Sequence, residues 1–207
     1  MAMRRRDFLA AAGAAAAWPA FGAEPATGLK AIGLVGVEMV TGAGTIILEV
    51  DSDKAPITAL NFLRYVYMRL YDGSKIYRAL KSPTSPPTGL IQGGAKYDPA
   101  RSPPPIQHES TTLTGIRHKD GTISLARRAL GTATSDFFIC VGDAPYLDAN
   151  PSAPGDNQGF AAFGHVKEGM DIARKILAMP TSPTAGAPEM AGQMLEPPVP
   201  IISARRL

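Results

Sequence analysis

The chain has one cysteine, Cys140, so no intrachain disulfide can form. Its place inside an apolar run reads as a small buried hydrophobe rather than a reactive thiol. The three histidines, His108, His118 and His165, are scattered without ligand spacing, so no metal is called for. There is no G-x-S-x-G elbow, no phosphate loop and no pair of carboxylates at a useful interval, which leaves hydrolase and nucleotide chemistry without a foothold. No internal repeat and no linker divides the 207 residues, so one domain with extensions is expected. A strong charge of one sign is also missing. The net charge is +3, and residues 1–22 hold three arginines and one aspartate, so the remainder carries only +1. That gives no electrostatic case for nucleic acid.

What is present begins with a segment to be set apart from the fold. Arg4-Arg5-Arg6 is a basic start, Ala10 to Ala17 is an apolar run broken only by Gly13, and small residues follow at Ala20, Gly22 and Ala23. This reads as a secretory signal peptide over residues 1–23, cut after Gly22 or Ala23, and it is too short for a membrane span. Arg5-Arg6 followed by Asp7-Phe8-Leu9 resembles the twin-arginine export signal of bacteria. A periplasmic or secreted location follows, and with no cysteine near the cleavage point no lipid anchor is expected. Residues 24–32 form a polar leader, and residues 33–207 the domain.

The domain is a series of short β-rich runs broken by turns. Gly33 to Val40 and Thr45 to Val50 flank a hairpin turn at residues 41–44. Lys75 to Leu80, Gly89 to Ala95, Gly121 to Ala126, Phe137 to Val141, Phe160 to Val166 and Val199 to Ala204 follow. "APITALNFLRYVYMRLYDG" predicts a helix of about four turns, with Leu60, Leu63, Val66, Tyr67 and Leu70 on its packed face. Met170 to Met179 predicts a second helix, and residues 180–200 are rich in proline. Roughly eight strands and two helices in this texture point to a mainly β closed antiparallel barrel or a sandwich.

The informative elements are Tyr77-Arg78, Gln92-Gly93-Gly94, "GTISLAR" (121–127), "SDFFI" (135–139) and "FAAFGHVKEGMD" (160–171). In this order and spacing, and with the entry segment "EVDSDKAPITALNFLRYV", they resemble the cyclophilin family of peptidyl-prolyl isomerases over nearly all of residues 33–207. The resemblance implies a closed eight-stranded antiparallel barrel with a helix covering each end. It implies isomerisation of X-Pro bonds in unfolded or flexible proline-containing segments of exported proteins, without a cofactor. Arg78 occupies the position of the family's catalytic arginine. Gln92 matches the glutamine that steadies arginine and substrate backbone, and Phe138 the pocket aromatic. Leu90, Leu125, Leu147 and Phe160 match further pocket walls, and the main chain of Ala126 and Arg127 the edge that pairs with the peptide. A monomer is the default expectation.

The departures from the family are as informative. Asp136 stands where the family usually has glutamine. A carboxylate there accepts hydrogen bonds but cannot donate as an amide does. The position is expected to face the peptide groove, where Asp136 with Gln92 would orient Arg78 and the substrate backbone. It could also pair with Arg78 or Arg127, either holding the guanidinium in place or competing with substrate for it. The 14 residues from Arg78 to Gln92 exceed the family's interval, the surplus falling within "KSPTSPPTG" (81–89). Gly89 replaces an aromatic wall residue. Tyr146 replaces the tryptophan of eukaryotic members, which implies weak cyclosporin binding rather than lost catalysis. A long loop, "ANPSAPGDNQG" (149–159), is expected to border the groove. These departures motivate a rival reading, a proline-peptide-binding module or holdase with little turnover. Retention of Arg78 favours the enzyme, since binding alone does not need that donor.

Overall fold

A computed structural model of the chain describes residues 33–95 and 102–207. The signal peptide and leader, residues 1–32, lie outside the described residues. In chain order the elements are strands β1 (Leu34–Thr41) and β2 (Gly44–Asp51), helix α1 (Pro56–Tyr67), β3 (Ser74–Lys81), β4 (Gly89–Gly94), a one-turn helix α2 (Thr111–Thr114), β5 (Thr122–Leu125), β6 (Phe137–Val141), β7 (Ala161–Glu168), helix α3 (Met170–Ala178), a two-residue strand β8 (Thr181–Ser182) and β9 (Met194–Arg206).

Neighbouring strands run β1-β2-β7-β5-β6-β4-β3-β9, and β9 pairs again with β1, so an eight-stranded antiparallel barrel closes with β8 added at the side of β9. Closure removes the free edges that an open sheet would expose. Period-two alternation turns Val35, Val37, Met39, Ile46, Leu48 and Val50 inward from the first hairpin. In the interior the rings of Phe62, Tyr71, Phe137 and Phe163 meet at centroid distances of 5.2 to 5.9 Å.

Helices α1 and α3 cap the barrel. Pro56 opens α1, where its missing N–H costs nothing. The next two amides, Ile57 and Thr58, donate to the buried carboxylate of Glu109 at 3.1 and 2.7 Å. A distant acid thus does the work of a cap on this helix. Helix α1 is 12 residues long rather than four full turns, and Leu70 is buried from the turn that follows it. Tyr67 is 74% exposed, against the expected packing. The buried arc centres on Phe62 and Val66, and at 3.6 residues per turn Tyr67 falls beyond its edge.

The last strand is longer than its sequence suggests. It begins at Met194 inside the proline-rich stretch instead of at Val199. Prolines lack the ladder donor, yet Pro197 and Pro198 fall in the interval between the pairs Arg78↔Met194 and Ile76↔Val199, where β3 asks for no amide from them.

Candidate active site

Strand β6 explains why its sequence is apolar throughout. Phe137, Ile139 and Val141 point into the barrel core. Phe138 and Cys140 point outward into a second, smaller cluster with Leu90, Ala144 and Leu147, against which Leu80, Ala126 and Phe160 pack. Both faces are covered, so the usual polar alternation is lost. Burial pushes the Cys140 thiol up to about 12, which suits an inert packing role.

The register then assembles the site as one rung across the barrel wall. Arg78 pairs with Gln92, Gln92 with Phe138, and Phe138 with Ser124. Directly paired residues of antiparallel strands share a face. Arg78, Gln92 and Phe138 therefore stand side by side at strand spacings of about 5 Å. Leu80, Leu90 and Cys140 make the neighbouring rung, the apolar floor next to the arginine.

Tyr77 is the extra residue of a bulge between the pairs Ile76↔Gly93 and Arg78↔Gln92. The bulge breaks alternation, so Tyr77 and Arg78 both leave the core face. The guanidinium is held from two sides. Arg78 Nη1 donates to Gln92 Oε1 at 2.8 Å, while Nε and Nη2 donate to Gln193 Oε1 at 2.8 and 2.6 Å. Gln193 precedes β9, and its carbonyl accepts from the amide of Ala79 at 2.8 Å, which fixes its place beside β3. Partial burial of the guanidinium lowers its pKa, opposed by the nearby Tyr77; arginine stays charged all the same.

Asp136 pairs with neither Arg78 nor Arg127. Its Oδ2 accepts from the Tyr77 hydroxyl at 2.6 Å and its Oδ1 from Ser135 Oγ at 3.2 Å. The reason is steric. Asp136 lies over Gly94, whose missing side chain leaves the space that the carboxylate fills, and from there its near neighbour is the bulged tyrosine.

Arg127 is spent elsewhere. It binds Asp156 with Nη1 at 2.6 Å and Nη2 at 2.8 Å, donates to the Gly159 carbonyl from Nε and Nη2, and lies 5.5 Å over the ring of Phe160. The arginine holds the Asp156 carboxyl down to about 2. The loop 149–159 is thereby tied to the pocket wall it borders. Phe160 meets Phe138 edge to face at 5.4 Å. A 3-10 turn, Pro145–Leu147, turns Leu147 into the cluster and leaves Tyr146 exposed.

One expected pocket residue is elsewhere. Leu125 is fully buried in the barrel core, because on β5 it alternates with Ser124, and Ser124 takes the outward position. Behind the pocket, Ser124 Oγ lies 3.0 Å from His118 Nε2, and His118 Nδ1 lies 2.8 Å from Asp148 Oδ1. The imidazole stacks on Phe138 at 5.8 Å and 16°. A carboxylate can only accept, so Nδ1–H donates to Asp148 and Nε2 accepts from Ser124. With its hydroxyl buried, Ser124 is support for the aromatic and no nucleophile.

Gln193, Tyr77 and His118 have structural roles that their local sequence does not announce. Gln193 lies in a proline-rich stretch with no periodicity, and only the return of β9 beside β3 brings it to Arg78. The surplus segment after β3 is a loop closed on itself, Ser82 N donating to Thr88 O at 2.8 Å and Thr88 N to Thr84 Oγ1 at 3.0 Å.

Comparison with known proteins gives a concordant picture. Residues 36–205 match the family model described as cyclophilin type peptidyl-prolyl cis-trans isomerase/CLD. A peptidyl-prolyl cis-trans isomerase of Acinetobacter baylyi is 36% identical over 173 residues, covering 82% of this chain and 84% of that protein. Peptidyl-prolyl cis-trans isomerase B of Escherichia coli is 32% identical over 146 residues, covering 68% and 83%. A crystal structure of a Cryptosporidium parvum cyclophilin in the presence of the dipeptide Ala-Pro superposes with a TM-score of 0.61 at 18% identity, covering 82% of this chain and 97% of that one, a likeness of fold.

Proposed function

The chain belongs to the cyclophilin-type family of peptidyl-prolyl cis-trans isomerases and is an isomerase, and from that premise we propose that Arg78 drives rotation about X-Pro bonds. The amide resonance to be overcome is a barrier of ~18–20 kcal/mol. No nucleophile, metal or proton transfer is needed, only an environment that favours the twisted amide over the planar one. As the bond twists, the prolyl nitrogen becomes pyramidal and basic, and it can accept a hydrogen bond that the planar form scarcely offers.

Arg78 is built for that donation. A guanidinium has five N–H groups; three are bound to Gln92 and Gln193, leaving one on each terminal nitrogen for substrate. Because these partners already fix the fork, little reorganisation accompanies the twist. The proline ring packs on Leu90, Phe138, Leu147 and Phe160, with Ala126 at the rim. The chain segment of Ala126 and Arg127 receives the peptide backbone.

The proposed substrates are flexible proline-containing segments of exported proteins, met by a monomer in the periplasm or outside the cell. This rests on the basic, alanine-rich, small-residue pattern of residues 1–23. The observation that carries the catalytic reading is the double clamp on Arg78 beside the apolar cluster. In an X-Pro reporter assay, Arg78→Ala is expected to lower kcat/KM by about 10²–10³ while a proline peptide still binds. Equal turnover by variant and parent would remove Arg78 from this role.

A further inference from the structure

The chain of hydrogen bonds at the site has a direction, and the direction has a source. From one end, Tyr77 donates to Asp136 Oδ2 at 2.6 Å, and Gln92 Nε2 donates to the Tyr77 oxygen at 2.8 Å. Arg78 Nη1 then donates to Gln92 Oε1 at 2.8 Å. The carboxylate at one terminus only accepts, and the guanidinium at the other only donates. Between them lie two groups that can point either way, a hydroxyl and an amide. Tyr77 has one hydrogen to give. Burial, reinforced by Asp136 alongside, raises its pKa, so the hydroxyl keeps that hydrogen.

We infer that Asp136 is a positioning residue for isomerisation, acting through Tyr77 to fix the amide of Gln92 with its oxygen toward Arg78. Once Asp136 takes the tyrosine hydrogen, the tyrosine oxygen is left as an acceptor. That oxygen requires the NH2 end of Gln92, and the amide oxygen then has to face the guanidinium. An amide at position 136 can donate as well as accept. It would let Tyr77 donate to Gln92 Oε1 instead, turning the NH2 group of Gln92 against Arg78, donor against donor. Gly94 belongs to the same device, since any larger residue would fill the space of the carboxylate. Gln193 grips the far edge of the guanidinium by a separate route, and it does not depend on Asp136. The inference rests on the role proposed above for Arg78 in turnover, but the orientation of Gln92 can be read without turnover.

The test compares the full chain with Asp136→Asn and Tyr77→Phe, by reporter turnover and by 15N spectra of the Arg78 side chain. One hydrogen bond in series predicts a fall in kcat of about tenfold for each single variant. KM should stay within about twofold, since the apolar pocket is untouched. The double variant should match the singles, because both cut the same chain. The Nη1 resonance of Arg78 should shift in both variants, and the Nε resonance, held by Gln193, should not. An unchanged Nη1 resonance in Asp136→Asn, or multiplying effects in the double variant, overturns the inference. Should Asp136→Asn fail to fold, Tyr77→Phe, which keeps the ring and removes only the hydroxyl, decides the same link. Turnover absent from the parent chain would instead count against the role of Arg78, and the resonance shifts would still decide the relay.

Discussion

His118 shows how much of this site depends on groups that never touch substrate. Its ring is the back plate of Phe138 and is neutral because burial lowers its pKa below the ordinary 6.5, outweighing the opposite pull of Asp148. The unfolded chain therefore binds a proton that the folded chain refuses. With the folded pKa depressed, the stabilising contribution is complete above about 6.5 and is lost as pH falls from there through the folded value. Denaturant midpoints measured between pH 8 and 5 should fall on the acid side, and His118→Gln should flatten that part of the curve. An identical pH slope in the variant would mean that other groups supply it. The charged neighbours to be held in mind are Asp148, at 2.8 Å, and Arg117, which lies 3.6 Å from the other oxygen of that carboxylate. Asp136 belongs to the same scale. Its identity as an unusual acid is plain in the sequence, but its partner is not, because a bulge one residue before Arg78 decides what lies within reach.

Among the elements, strands are the most legible: period-two burial writes itself into β1 and β2, and β6, covered on both faces, stands out as an unbroken apolar run. The limits appear where burial has two sources. On β5 the outward place beside the pocket goes to Ser124, and Leu125 turns into the core; both are fully buried, so hydrophobicity alone could not assign the faces. Strand β4 supplies the clearest backbone requirement. Gly89 has φ +144°, and a Cβ there would overlap the Leu80 carbonyl across the β3–β4 pair. This is why no aromatic wall residue stands at that position: the chain leaves its surplus loop through a conformation open to glycine. Gly89→Ala should cost about 1–3 kcal/mol by chemical denaturation and loosen the rung that carries Leu90. Loss of less than a few tenths would mean that the loop absorbs the change and the glycine is incidental.

At the scale of the whole molecule, the site exists because the barrel closes. Strand β9 is the closing piece, pairing with β3 through Ile76↔Val199 and with β1 through Val37↔Arg206 to Val40↔Ser203. Its tail is fastened further by Arg205, which binds both oxygens of Asp72 at 2.8 Å, and by the Leu207 amide donating to the Gly36 carbonyl at 2.9 Å. Little of this closure is written locally: the proline-rich entry to β9 hides its first five residues from any reading by periodicity, and the partner strands lie far away in sequence. The same strand follows directly on Gln193, so closure and the grip on Arg78 are mechanically continuous. A chain ending at Ile202 would keep the β3 pairing and Gln193 but lose the pairs from Ser203 to Arg206, leaving β1 and part of β9 as open edges. Such a truncation should unfold well below the full chain in a thermal melt, with a broadened transition, and its turnover should fall together with its folded fraction. If it melted at the temperature of the full chain, the seam between β1 and β9 would be dispensable. The barrel would then be held by the seven remaining pairings alone, and the Arg78 clamp would owe nothing to closure.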